Sequence, residues 1–151
     1  MSNNVLQKII DKKKLKLEKI KNEISLENIN EQIEKNNNFI DFKNKIQNNI
    51  NNNNLSIIAE IKKASPSAGI IIENYDPLSI AEIYFKNKAT CLSILTEEDY
   101  FLGKLDHIKK IKQKINLPVL CKDFFIDKFQ VKLSKSYGAD AILIILAGVN
   151  E

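Results

Sequence analysis

LSIIAEIKKASPSAG, running from Leu55 to Gly69, opens with a β-branched apolar run, Ile57, Ile58 and Ile61, of the kind found in a parallel strand buried on both faces. Glu60 and Lys62 interrupt it at its carboxyl end. Residues two apart in a strand share a face, so this pair projects together while Ala59 and Ile61 pack the other way. The run then enters Ser65-Pro66-Ser67-Ala68-Gly69, a loop of hydroxyls, a rigid turn and a glycine that suits a polar ligand. A solvated salt bridge on a surface strand is the plainer explanation of Glu-x-Lys. The lack of alternation before the pair argues instead for an interior parallel strand, and the carboxyl ends of such strands are where α/β barrels and doubly wound sheets hold their sites.

Downstream the pattern repeats as helix, strand and loop. Asp76-Pro77 reads as an N-cap followed by proline at the first helical position, opening a helix to about Lys88. A second strand is expected over Cys91–Thr96, then a polar loop, Glu97 to Gly103, and a helix with Leu105, Ile108, Ile111 and Ile115 on one face. Pro118–Phe124 is the third strand, Asp127 caps the next helix and Gly138 ends it. Ala141–Ala147, continuously apolar, is the fourth, and Gly148 to Glu151 follow it. Strands separated by helices of this length make right-handed parallel crossovers, so the class is α/β.

Upstream, Val5, Leu6, Ile9, Ile10, Leu15, Leu17, Ile20 and Ile24 recur at helical spacing among lysines and glutamates, which predicts one or two amphipathic helices over residues 5–35. The next segment is asparagine-rich, with apolar positions from Phe39 to Ile50 marking a further short helix and Asn51–Asn54 a polar linker. The expected division is a helical extension over residues 1–54 and a strand-helix unit over 55–151.

With 44% hydrophobic and 28% charged residues in 151, the composition is that of a globular protein. No apolar run approaches the ~20 residues of a membrane span, and the N-terminus lacks a signal peptide's apolar centre, so a cytoplasmic protein is expected. A net charge of +4, with lysines alternating with glutamates, gives no nucleic-acid footprint. Cys91 and Cys121 fall in strands without metal-ligand spacing and read as small buried hydrophobes. His107, on a lysine-rich helix with no nucleophile motif to serve, reads as a surface or helix-packing residue.

Lys122 is the second charge set against the pattern. It alternates with Leu120 near the end of the third strand, and apolar surroundings there would lower its pKa toward values useful for proton donation. Pairing with the adjacent Asp123 at a strand rim is the alternative. Recurrence favours a site, because Glu60, Lys62 and Lys122 all fall at carboxyl ends of parallel strands. Phe101 and Phe124 lie beside these ends; spacing alone favours core packing over the wall of an aromatic pocket.

IIAEIKKASPSAG, DPLSIAEIY, LSILTEEDYFLG, LPVLCKDFFID and GADAILII follow one another in the order and spacing of the indole-3-glycerol-phosphate synthase family, which this chain resembles from Leu55 to Ala147, and its helical extension is similar too. The resemblance implies a TIM (βα)8 barrel acting in tryptophan biosynthesis as a carboxy-lyase. Its phosphorylated substrate, 1-(2-carboxyphenylamino)-1-deoxyribulose 5-phosphate, closes to indole-3-glycerol phosphate with loss of carbon dioxide and water, without metal or organic cofactor. By the same resemblance Lys122 matches the general acid on the substrate's ketone oxygen, Lys62 a lysine that binds the anionic substrate and joins the acid chemistry, and Glu60 the glutamate that orients them. Ser65 lies in a substrate-contacting segment, and Phe101 and Phe124 match aromatics on the anthranilate side. A whole barrel takes ~250 residues, so only strands one to four are expected here. Strands five to eight would bring a second catalytic glutamate, an asparagine and the phosphate-gripping loops. The chain then reads as a truncated or split synthase, a second polypeptide being one source of the missing strands, or as a non-catalytic half-barrel module with open edges.

Overall fold

The computed structural model describes residues 3–148; Met1, Ser2 and residues 149–151, which follow the expected fourth strand, lie outside the described residues. The amphipathic N-terminal segment is two helices, α1 (Asn3–Glu23) and α2 (Leu26–Lys35), parted at Ser25, whose hydroxyl caps α2 by accepting from Asn28 N–H. Helix α3 (Phe42–Asn51) starts at the Asp41 cap, inside the asparagine-rich segment. Then come β1 (Ile58–Ile61), a hairpin of β2 (Ala64–Ser65) and β3 (Gly69–Ile70), α4 (Pro77–Lys86), β4 (Cys91–Leu95), α5 (Leu105–Lys112), β5 (Val119–Lys122), α6 (Lys128–Ser136) and β6 (Ala141–Ile142). Asp76 caps α4 with Pro77 behind it and Asp127 caps α6, both as expected from sequence, and Gln130 completes a capping box with Asp127.

The main sheet has the order β1-β4-β5-β6, every neighbouring pair parallel. Its centre is β4, each residue of which is buried. Ile61, Ala81, Leu92, Ile94, Ile108, Ile111, Val119 and Phe125 form the core between sheet and helices. Cys121 belongs to this core and Cys91 is buried at the start of β4, both as free thiols, and burial pushes Cys91 up to about 11 and Cys121 up to about 12. His107 packs against Tyr75 with ring centroids 5.7 Å apart, and burial, followed by neighbouring lysine charge, lowers its pKa, which keeps the ring neutral. A smaller core joins α1, α2 and α6 through Leu17, Ile29, Phe129 and Leu133. Among the described residues no helix is long and apolar enough to cross a membrane.

The strand expectations need two corrections. β1 is not buried on both faces: it is a sheet edge paired only with β4, and Ile57 and Ile58 are 55% and 46% exposed while Ile61 is fully buried. The fourth strand does not run from Ala141 to Ala147. Only Ala141 and Ile142 pair with β5; as an edge ladder supported from one side, the backbone then leaves the sheet and makes a 3₁₀ turn at Leu146–Gly148 under Ile10 of α1. The Ser65–Gly69 loop is the turn of the β2–β3 hairpin, closed by Gly69 at φ +64, a conformation that costs glycine nothing.

At the amino ends of the strands, Asp140 ties the extension to the sheet. Its carboxylate accepts from Lys112 Nζ and Val119 N–H, each at 2.8 Å, and from Ile40 N–H at 2.7 Å. The Asn38 amide adds a 2.8 Å bond to the Lys112 carbonyl. Asn49 of α3 likewise donates to the Leu55 carbonyl and toward the hydroxyls of Ser56 and Thr90.

Candidate active site

Glu60 pairs with Ser93 of β4 and Ser93 with Leu120 of β5, so Lys122, opposite Leu95, stands one pleat farther along the sheet than Glu60. Lys62 follows β1 at the level of Lys122. Neighbouring strands are ~4.8 Å apart, which puts β1 and β5 within reach of each other only for long side chains. Lysine and glutamate have that length. Lys62 Nζ donates to Glu60 Oε1 at 2.7 Å, and Lys122 Nζ donates to Oε2 at 2.6 Å. The three side chains that the sequence set against the pattern thus meet in one cluster.

Two ammonium groups on one carboxylate leave a net positive charge at a half-buried mouth, the three side chains being 31 to 35% exposed. Burial alone would raise the Glu60 pKa; hydrogen bonds from Lys122 and Lys62, with their charges, outweigh it and hold the carboxyl below its ordinary range. Because this pKa is depressed in the folded state, the pairing adds stability above the ordinary carboxylate pKa and loses it as pH falls through the lowered value. At neutral pH the cluster is fully ionised at Glu60. It can attract an anion and offer an ammonium proton to an oxygen beside it.

Lys122 does not pair with Asp123, which alternation sends to the opposite face. There the Asp123 carboxylate accepts from Lys13 Nζ of α1 at 2.6 Å, Thr96 Oγ1 at 2.8 Å and Phe124 N–H at 2.7 Å. Nor does Lys122 sit in a wholly apolar pocket, since Glu60 meets its head. Lys122, with Leu95, Phe101, Asp123, Phe124 and Ile145, lines a cavity of about 250 Å³. Phe101 and Phe124 lie 6.2 Å apart between ring centroids, tilted by 43°. Phe124 is buried in the protein, and both phenylalanines line this cavity. Ser65 is not drawn into the cluster: its hydroxyl accepts from Ala68 N–H at 3.2 Å within the hairpin that follows Lys62. Among the described residues no group of three His, Cys, Asp or Glu side chains converges as a metal site would require.

The loop bearing Phe101 is held from several sides. Lys16 of α1 bridges Glu98 at 3.0 Å and Asp99 at 2.9 Å, and Lys12 lies 5.0 Å from the Tyr100 ring centre. Sequence periodicity places these lysines on a helix but carries no trace of acidic partners more than eighty residues away. Gly103 closes the loop by donating to the Glu97 carbonyl at 2.7 Å, and a Cβ there would stand 2.2 Å from the Leu95 carbonyl oxygen. Gly103→Ala is therefore expected to cost ~2 kcal/mol or more through backbone displacement. Urea denaturation measures this, and an unchanged midpoint would mean the loop can give way freely.

The indole-3-glycerol phosphate synthase family model matches residues 6–151. The chain is 38% identical over 148 residues to an indole-3-glycerol phosphate synthase of Acaryochloris marina, covering 98% of this chain and 48% of that protein. It is 43% identical over 146 residues to the synthase of Clostridium acetobutylicum, covering 97% and 51%. With the Trichodesmium erythraeum synthase it shares 44% over 97 residues, 64% of this chain and 33% of that one. The chain spans about half the length of the curated relatives it matches end to end. With the model match covering nearly every residue, the chain belongs to the indole-3-glycerol phosphate synthase family.

Proposed function

We propose that this chain supplies the first half of the catalytic barrel of an indole-3-glycerol-phosphate synthase, a carboxy-lyase of tryptophan biosynthesis in the cytoplasm. The reaction closes 1-(2-carboxyphenylamino)-1-deoxyribulose 5-phosphate to indole-3-glycerol phosphate, releasing carbon dioxide and water. One observation carries the reading: the Lys62–Glu60–Lys122 cluster opens beside a cavity walled by Phe101 and Phe124. Ring attack on the ketone needs a proton for the carbonyl oxygen, and Lys122 is the acid proposed to give it. Loss of the carboxylate and of water needs cationic charge close by, which Lys62 provides by binding the anion and joining the acid chemistry. Glu60 orients both ammonium groups, Ser65 contacts the substrate, and the two phenylalanines hold the anthranilate ring. The atoms balance with no oxidant or reductant.

Residues 1–54 act in this proposal as the helical extension and residues 55–151 as barrel strands one to four. The second catalytic glutamate, the asparagine and the phosphate-gripping loops come from strands five to eight, in a longer chain or on a second polypeptide. The half-exposed Ile57 and Ile58 at one sheet edge, and Ile144 and Leu146 beyond the other, support completion by further structure.

Lys62→Ala tests the substrate clamp. Steady-state turnover followed by indole fluorescence is expected to show KM raised and kcat lowered together, each by about tenfold or more, because one side chain serves both binding and chemistry. A change in neither would return Lys62 to the role of a rim salt bridge.

A further inference from the structure

Glu97 follows the second barrel strand, and nothing in the cluster just described uses it. It is 2% exposed, a burial that a carboxylate tolerates only when its oxygens are satisfied. Its neighbours Glu98 and Asp99 pair with Lys16, whereas among the described residues no cation reaches Glu97. The loop's own backbone satisfies it instead. Oε1 accepts from Asp99 N–H at 3.1 Å, and Oε2 accepts from Tyr100 N–H at 2.7 Å and Phe101 N–H at 3.1 Å. The Glu97 carbonyl accepts from Gly103 N–H, so both ends of this one residue grip the loop.

That loop holds an unfavourable shape. Leu102 lies at φ 53, in the left-handed region that a branched side chain avoids, and is 38% exposed. Gly103 is pressed against the Leu95 carbonyl with no room for a Cβ. Such backbone persists where its surroundings over-determine it, and it gathers at sites where a side chain must be aimed. The side chain aimed here is Phe101, turned toward Phe124 and into the cavity shared with Lys122.

We propose that Glu97 is a positioning residue: its buried carboxylate, through three backbone N–H groups, sets Phe101 as the ring-binding wall of the site. This rests on the proposed reaction. Hydrogen bonds to a carboxylate are stronger than neutral ones, and glutamine in its place presents one acceptor oxygen and an NH₂ group that repels the same N–H donors. The loop then relaxes and the ring wall moves, while Lys122 on β5 stays where it is.

The test is steady-state kinetics of Glu97→Gln, Phe101→Ala and the double variant in whichever preparation of the wild-type protein turns over the carboxyphenylamino-deoxyribulose phosphate. Glu97→Gln is expected to raise KM about tenfold with kcat within about threefold, since ground-state and transition-state binding of the ring are lost together. Phe101→Ala should do the same, and the double variant should be no worse than Phe101→Ala alone, because Glu97 acts through that ring. A merely structural role would lower the active fraction, and so kcat, at unchanged KM. Unchanged KM, or fully additive effects, would overturn the proposal. If Glu97→Gln does not fold, Glu97→Asp keeps the charge on a shorter stem: an intermediate rise in KM is expected, and wild-type KM would overturn the proposal. Wild-type protein without turnover would sink the reaction itself; amide exchange then decides on Glu97, with faster exchange at Tyr100 and Phe101 and unchanged protection in Cys91–Leu95 expected in Glu97→Gln, and unaltered loop exchange counting against it.

Discussion

Lys122→Ala is expected to lower turnover ~100- to 10,000-fold, the range contributed by a positioned acid, with the fold intact. The fold should survive because the Lys122 side chain is 35% exposed and its partner keeps a second cation, Lys62, at 2.7 Å. No carboxylate is orphaned, and pairs this open to water contribute little, under ~1 kcal/mol. What is lost is chemistry: the ammonium at the carboxyl end of β5 is the one that both borders the phenylalanine-walled cavity and is aimed by Glu60. Circular dichroism and urea midpoints check the fold; a continuous indole-fluorescence assay checks the rate. Turnover within about threefold of wild type would refute the general-acid assignment, since losing a positioned acid costs at least ~100-fold.

The second large effect falls on stability. Asp140→Ala removes a carboxylate whose side chain is wholly buried and leaves the 5%-exposed Lys112 ammonium without its counter-ion. It also strips the partner from Val119 N–H in β5 and from Ile40 N–H in the segment joining α2 to α3. Breaking one side of a buried pair typically costs ~3–5 kcal/mol, because a charge remains in a place that cannot hydrate it. Urea denaturation should show that loss. Adding Lys112→Met should restore part of it by removing the stranded cation, a recovery that a simple loss of packing would not produce. A cost below ~1 kcal/mol for Asp140→Ala would mean the pair is hydrated and the extension held by other contacts.

The sequence disclosed what is local. Continuous apolar runs and helical spacing, with Asp76-Pro77, Asp127 and Gly138 as punctuation, marked the four parallel strands and the helices in their observed order, but not the short β2–β3 hairpin, which read as a loop. Glu60, Lys62 and Lys122 were conspicuous because charge stood where apolar residues were due, and a parallel sheet brings such strand ends together. The extent of burial was less legible. Ile57 and Ile58 read as interior residues, but whether a strand is central or an edge depends on pairing partners, which no local pattern encodes. The same holds for Ala141–Ala147, whose apolar run outlasts its ladder.

Residues whose meaning lies in distant partners were the least visible. Lys13 looks like any lysine on an amphipathic face, yet it meets Asp123 beneath the site. Asp123 itself, next to Lys122 in sequence, suggested a pair that alternation forbids. Glu97 passed as one acid in a polar loop, although Thr96-Glu97 directly after a buried strand is a signal: polar groups carried inward by the sheet must find hydrogen bonds, and these find Asp123 and the loop amides.

The most direct measurement is turnover of 1-(2-carboxyphenylamino)-1-deoxyribulose 5-phosphate, followed by indole fluorescence, by this chain alone and with a polypeptide supplying strands five to eight. Indole-3-glycerol phosphate should form when the second half is present and should fall by orders of magnitude when Lys122 is replaced by alanine. A folded, assembled complex that leaves the substrate unchanged would contradict the proposed activity and leave a non-catalytic half-barrel in its place.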